Sequence, residues 1–270
     1  MHESTPNNQL KSFAIAHWDA PPQCSSAPLS KTLAVERNIM SDSQLKYHDL
    51  GKLTTWVKYF IYSQIVISLI ALWSGTLEIN LLKDFNSGAY SSQELAMSAA
   101  EANDSRQQLV GVAQLFIFVI SGIFILRWIF LSNKNARALG AKGMKFTPGW
   151  SVGWYFIPIF SLWKPYQAMR EIWTASYNPN NWQLTKRSNI LPWWWFFWLI
   201  ASFLGNISFR MAMDADDIDE LINSALITYA SDISSIPLAY VTLVLISSIY
   251  RAQTFVANHA ANQPLNNGRT

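Results

Sequence analysis

Apolar residues in this chain gather into four long runs separated by polar segments. They are Trp56–Leu77, Leu109–Leu131, Pro192–Phe209 (with WWWFFW directly after its proline) and Ile233–Ile249. An amphipathic helix of a soluble protein would place polar residues at every third or fourth position, and these runs do not. Each comes close to the ~20 predominantly apolar residues needed to cross a hydrocarbon core about 30 Å thick. The pattern predicts an all-α integral membrane fold, a four-helix transmembrane bundle with spans at about 56–77, 109–131, 192–209 and 233–249.

A fifth stretch, TPGWSVGWYFIPIFSLWKPYQAMREIW at Thr147–Trp173, is apolar but different. Its uninterrupted part, Trp150–Trp163, holds 14 residues, about 21 Å as a helix. Pro158 and Pro165 each remove a helical hydrogen bond. Backbone that is not helical survives at membrane depth only where protein or a water-filled cavity covers it. Two shapes satisfy that for 148–173: a re-entrant hairpin bent near Pro158, or a helix in the interface. After Pro165, an amphipathic turn over Tyr166–Trp173 is expected on the surface.

Charge decides between crossing and returning. If only four helices cross, loops 78–108 and 210–232 share one side and carry Lys83, Arg106 and Arg210, three of the twenty Lys and Arg. Eleven of the seventeen acidic residues fall in or beside those same loops, among them the run DADDIDE at Asp214–Glu220. Lys58 and Arg127 sit at the other ends of their helices, where long side chains snorkel to water. The positive-inside rule then places both termini in the cytoplasm, in what reads as a bacterial cytoplasmic (inner) membrane. Were the fifth stretch to cross, Lys164, Arg170, Lys186 and Arg187 would change sides and the bias would collapse.

The flanks are polar. Residues 1–45 carry four prolines and many Ser, Asn and Gln, too little apolar surface to offset the entropy of ordering, and are expected to be disordered. Met40 is an alternative start. The membrane domain is expected over 46–255 and a disordered tail over 256–270. Composition agrees: half the residues are hydrophobic and 14% charged, against about 25% in soluble domains. Thirteen tryptophans fit a chain with much membrane–water interface. The single Cys24 allows no intramolecular disulfide and no thiolate metal cage.

Across the fifth stretch the residues form a signature: Asn135, Ala136, Leu139 and Gly140, then Pro148, Gly149, Trp150, Gly153, Trp154, Ile157 and Pro158, then Leu162, Trp163, Pro165, Met169, Glu171, Ile172 and Trp173. This resembles the pattern of the bacterial membrane family known as domain of unknown function 4328, with a looser likeness over about 50–255. The resemblance implies membrane residence and a shared architecture, and no substrate.

Candidate binding residues come from that segment: Trp150, Trp154, Pro158, Trp163, Lys164, Pro165, Arg170, Glu171 and Trp173. The tryptophans either line a groove for a lipid or partner helix or serve as interfacial anchors. Lys142, Lys145, Lys164 and Arg170 are placed to reach lipid phosphates. Arg170 and Glu171, adjacent on a helix, point about 100° apart and are expected to be solvated, with a loop partner such as Arg137 as the alternative.

Catalytic chemistry is thin. His2, His17, His48 and His259 all lie outside the spans, so no transmembrane haem pair forms, and LGAKGMKF lacks the Gly-Lys-Ser/Thr ending of a phosphate loop. DADDIDE departs from the spacing of a calcium loop and reads as a solvated turn. No ionisable residue lies near the middle of a span, which argues against a proton-coupled pump. The polar residues within the spans are Gln64, Ser68, Gln114, Ser121, Ser202, Asn206, Thr242, Ser247 and Ser248; of these Gln114 and Asn206 are expected to bridge helices, with a polar path as the alternative, and Ala201 with Gly205 to form a small-residue packing face. The expectation is a non-enzymatic module without metal or cofactor that binds a lipid or membrane partner, itself included, and no nucleic acid. The alternative is a small oligomeric channel or transporter.

Overall fold

The computed structural model describes residues 46–186, 188–215 and 217–262. The expectations for 1–45, Met40 included, and for 263–270 lie outside them. Every element among the described residues is helical. Helix α1 is Gly51–Asn86, α2 Gln93–Ala138, α3 Pro148–Gly153, α4 Lys164–Tyr177, α5 Ile190–Asp214 and α6 Ile218–Asn262, with 3-10 turns at Trp154–Phe156, Phe160–Leu162 and Pro179–Leu184.

Helices α1, α2, α5 and α6 are long and apolar enough to cross a membrane, and each contains one of the four apolar runs. The runs mark only their middles. Helix α2 has 46 residues, about 69 Å against a hydrocarbon core of about 30 Å. Its polar first turns are built from good helix formers, QELAMSAAEA, and Ser92 caps them by accepting from the Leu95 N–H at 3.3 Å. Helix α6 is capped likewise by Asp217, which accepts from the Glu220 N–H at 2.8 Å, so part of the acidic run starts a helix. At its far end α6 continues through VANHAAN to Asn262. The tail predicted from 256 is thus corrected over 256–262, where alanines sustain the helix.

The four long helices pack as a row, α2–α1–α6–α5. Polar pairs stitch it: Gln64 Nε2 donates to Ser121 Oγ at 2.6 Å, Ser68 and Ser235 share a bond of 2.8 Å, and Gln114 Nε2 donates to Asp232 Oδ1 at 2.9 Å. Gly205 faces Ser231 on α6. Asn206 does not bridge: its amide donates to the Ser202 carbonyl of its own helix, and it is exposed. That is the economical solution for an amide facing lipid.

Chain direction follows from contacts at one end. Asn135, near the end of α2, accepts from the His48 N–H and donates to the His48 carbonyl, both at 2.8 Å, just ahead of α1. Gln253, near the end of α6, donates to the Ser132 carbonyl and to Ser176 Oγ on α4, both at 2.9 Å. The start of α1, the ends of α2 and α6, and helices α3 and α4 therefore share one end of the row. The fifth stretch leaves that end and returns to it.

Candidate functional site

Between α2 and α4 the chain makes a hairpin whose shape is set by its glycines and prolines. Helix α2 ends at Gly140 (φ +107°) and the turn continues through Gly143 (φ +71°), backbone angles that cost other L-residues energy. Gly149, by contrast, lies inside α3. Thr147 caps α3, accepting from the Trp150 N–H at 3.3 Å, with Pro148 in the first turn, where its missing N–H costs nothing. Ile157 is extended (φ −100°, ψ +111°), as the residue before Pro158 must be. That proline makes the bend. Pro165 instead opens α4 within its first turn.

The loop over 144–146 is held from both sides. Glu171, 5% exposed, accepts the Lys145 N–H on Oε1 at 2.6 Å and the Phe146 N–H on Oε2 at 2.9 Å. From the other side Arg137 donates to the Met144 and Phe146 carbonyls at 3.2 and 2.9 Å, and Asn133 donates to the Phe146 carbonyl at 3.0 Å. Asn133 Oδ1 in turn accepts from Arg137 Nε at 3.0 Å. Glu171 and Arg137 thus meet through the loop backbone. The surface role expected for Glu171 is corrected: a buried carboxylate must be hydrogen-bonded, and the two loop N–H groups are its donors.

Two more expectations change with α4. Over Tyr166–Trp173 the chain is not a turn on the surface but the middle of a 14-residue helix. Pro165, Ala168, Met169, Ile172 and Trp173 are buried, all but Pro165 and Ala168 in the main core cluster. One stripe, Lys164, Gln167, Glu171 and Thr174, follows helical spacing and faces a groove.

This groove has a volume of about 730 Å³. Its far walls are the loop residues Gly143, Lys145 and Phe146, the rings of Trp150 and Trp154, and Trp182, Gln183 and Thr185. Trp182 closes it by donating Nε1–H to the Lys142 carbonyl at 2.9 Å. Lys164 Nζ lies 5.6 Å from the Trp154 ring centre and 5.8 Å from that of Phe146, within cation–π range. Among the described residues the side chains of Lys145, Lys164 and Arg170 form no hydrogen bond or ion pair. No three His, Cys, Asp or Glu side chains among them converge as metal ligands.

A chain of rings leads out of the groove: Trp150 to Trp154 at 4.7 Å, Trp154 to Phe160 at 5.2 Å, Phe160 to Trp163 at 5.5 Å. It ends at an apolar tip where Phe156 is 71% and Ile159 69% exposed. The tip is fastened to α5, where Trp195 donates to the Leu162 carbonyl at 3.1 Å and Tyr155 meets Trp198 edge-on at 6.2 Å. Trp198 lies about 12 Å along α5 from its start, so the hairpin runs beside the first turns of that span.

Of the nine candidates, Trp150, Trp154, Lys164, Arg170 and Glu171 share the groove. Pro158 and Trp163 belong to the exposed tip, and Pro165 and Trp173 to the interior. Gln167 and Trp182 line the groove unforeseen, and Asn133 and Gln253 hold its frame. Trp182 carries a faint signal, a lone indole in the polar run NPNNWQL. For Gln253 there was none.

A family described as "Domain of unknown function (DUF4328)" matches residues 91–251, a stretch that takes in α2, the hairpin, the groove, α5 and most of α6. No curated protein and no solved structure matches.

Proposed function

The chain belongs to the DUF4328 family, and since that membership assigns it no activity, we propose that it is a non-enzymatic membrane module that seats a lipid by its headgroup in the groove. The observation that carries this is continuity: a basic, aromatic-walled groove runs by successive ring contacts into an exposed apolar tip beside the first turns of α5. A headgroup fits the first and an acyl chain the second. Tryptophan favours that boundary.

A non-catalytic role is supported by how the groove's polar groups are used. Both Glu171 oxygens accept from backbone N–H groups, and the Thr174 hydroxyl donates to carbonyls of its own helix at 3.1 Å, contacts that serve the fold. The charge bias puts the groove and both termini on the cytoplasmic side of an inner membrane, where anionic lipids attract basic residues. The channel alternative draws no support from the spans, whose amides and hydroxyls at Gln64, Ser68 and Gln114 are used between helices.

Native mass spectrometry of the full chain released from its own membranes tests the proposal. The expected spectrum shows a retained lipid adduct that Trp154→Ala and Arg170→Ala each reduce about tenfold or more, with unfolding temperatures unchanged. Adducts equal in wild type and both variants, or a protein partner displaced by them with no lipid held, would overturn it.

A further inference from the structure

We infer that the groove selects a phosphate-bearing lipid headgroup with two negative charges over one with a single charge; this rests on the lipid-binding reading above. Lys145, Lys164 and Arg170 bring three positive charges to the lining, against the one carboxylate of Glu171. That carboxylate is pinned by the Lys145 and Phe146 N–H groups at 2.6 and 2.9 Å, and it makes no ion pair with any of the three cations. It cannot swing toward Arg170 or the Lys145 ammonium without breaking both of those hydrogen bonds.

The groove therefore keeps a net charge of +2 in a partly covered site, where unpaired charge is expensive. A singly charged phosphodiester leaves half of it uncompensated. Two negative charges match it, whether on one phosphomonoester or on two linked phosphodiesters. Position helps too. Lys164 is steadied over Trp154 and Phe146, and the planar guanidinium of Arg170 can grip two oxygens of a phosphate at once. The volume of about 730 Å³ exceeds what one bare phosphate fills, leaving room for the glycerol that follows it.

The test uses the full chain in nanodiscs of phosphatidylcholine, titrated with phosphatidic acid, cardiolipin or phosphatidylglycerol at matched total lipid charge. Inorganic phosphate and glycerol phosphate are the soluble arms. The doubly charged lipids should bind at least about tenfold tighter than phosphatidylglycerol. Arg170→Gln and Lys164→Gln should erase that preference, Arg170→Lys should restore most of it, and Lys134→Gln, outside the groove, should leave it intact. Equal affinity for all three anionic lipids would overturn the charge selectivity while headgroup binding stood. No lipid bound at all would overturn the lipid-binding reading itself. Soluble phosphate displacing the lipids at comparable concentration would overturn the lipid as ligand and leave a phosphate site.

Discussion

Glu171 shows most sharply how one side chain sets this site. It sits one residue after Arg170 and on a different face of the same helix, so the two neighbours do opposite work. Arg170 looks into the groove as a free cation, and Glu171 builds the groove's wall by holding the loop at Lys145 and Phe146. Glu171→Ala would remove two hydrogen bonds to part-buried loop N–H groups. A hydrogen bond contributes a net of about 0.5–1.5 kcal/mol, so chemical or thermal unfolding of the reconstituted variant should show a loss of roughly 2 kcal/mol. A loss below about 0.5 kcal/mol, the range of ordinary surface substitutions, would mean the clamp is not structural. At this scale the sequence was a poor guide. A carboxylate beside an arginine, in a segment written REIW, has no local mark of burial, because its acceptors' partners lie in another loop.

At the scale of the element, the hairpin is legible as a break and illegible as a shape. Pro158 and Pro165 both read as interruptions, yet one turns the chain and the other opens α4, a difference set by where the surrounding residues find their partners. Trp195 is the main tie between the tip and α5, through its indole N–H on the Leu162 carbonyl. Trp195→Phe keeps an aromatic ring beside Trp198, which stacks on Trp195 at 4.7 Å between ring centres, and removes the donor together with the pyrrole ring that carries it. Hydrogen exchange over 156–163 should then quicken about tenfold, the value of one net hydrogen bond, while α4 exchange stays unchanged. Unaltered exchange at the tip would show that the ring contacts alone hold it.

For the whole molecule, the row α2–α1–α6–α5 and the hairpin beneath it assign every loop a side. Single cysteines placed at Lys142, Lys186 and Asp217 in a Cys24→Ser background provide the check, read with a membrane-impermeant thiol reagent. Lys142 and Lys186, before and after the hairpin, should label from one face, and Asp217, at the cap of α6, from the other. Labelling of Lys142 and Lys186 from opposite faces would make the hairpin a fifth span and would remove the interface on which the headgroup reading stands.

What the sequence determined by itself was the set of four helices long and apolar enough to cross a membrane. An uninterrupted apolar run is a local property, so this follows from local composition. It also marked the break in the fifth stretch, since a proline acts on its own backbone. Only the tertiary structure decided which polar groups are spent and which are free. Asn135 clamps His48 and Gln253 ties α2 to α4, while Asn206, no different in composition, merely serves its own helix. Hydrogen-bond partnership depends on residues 77 to 121 positions apart meeting at one end of the row, and that information is carried by the packing and by no single segment.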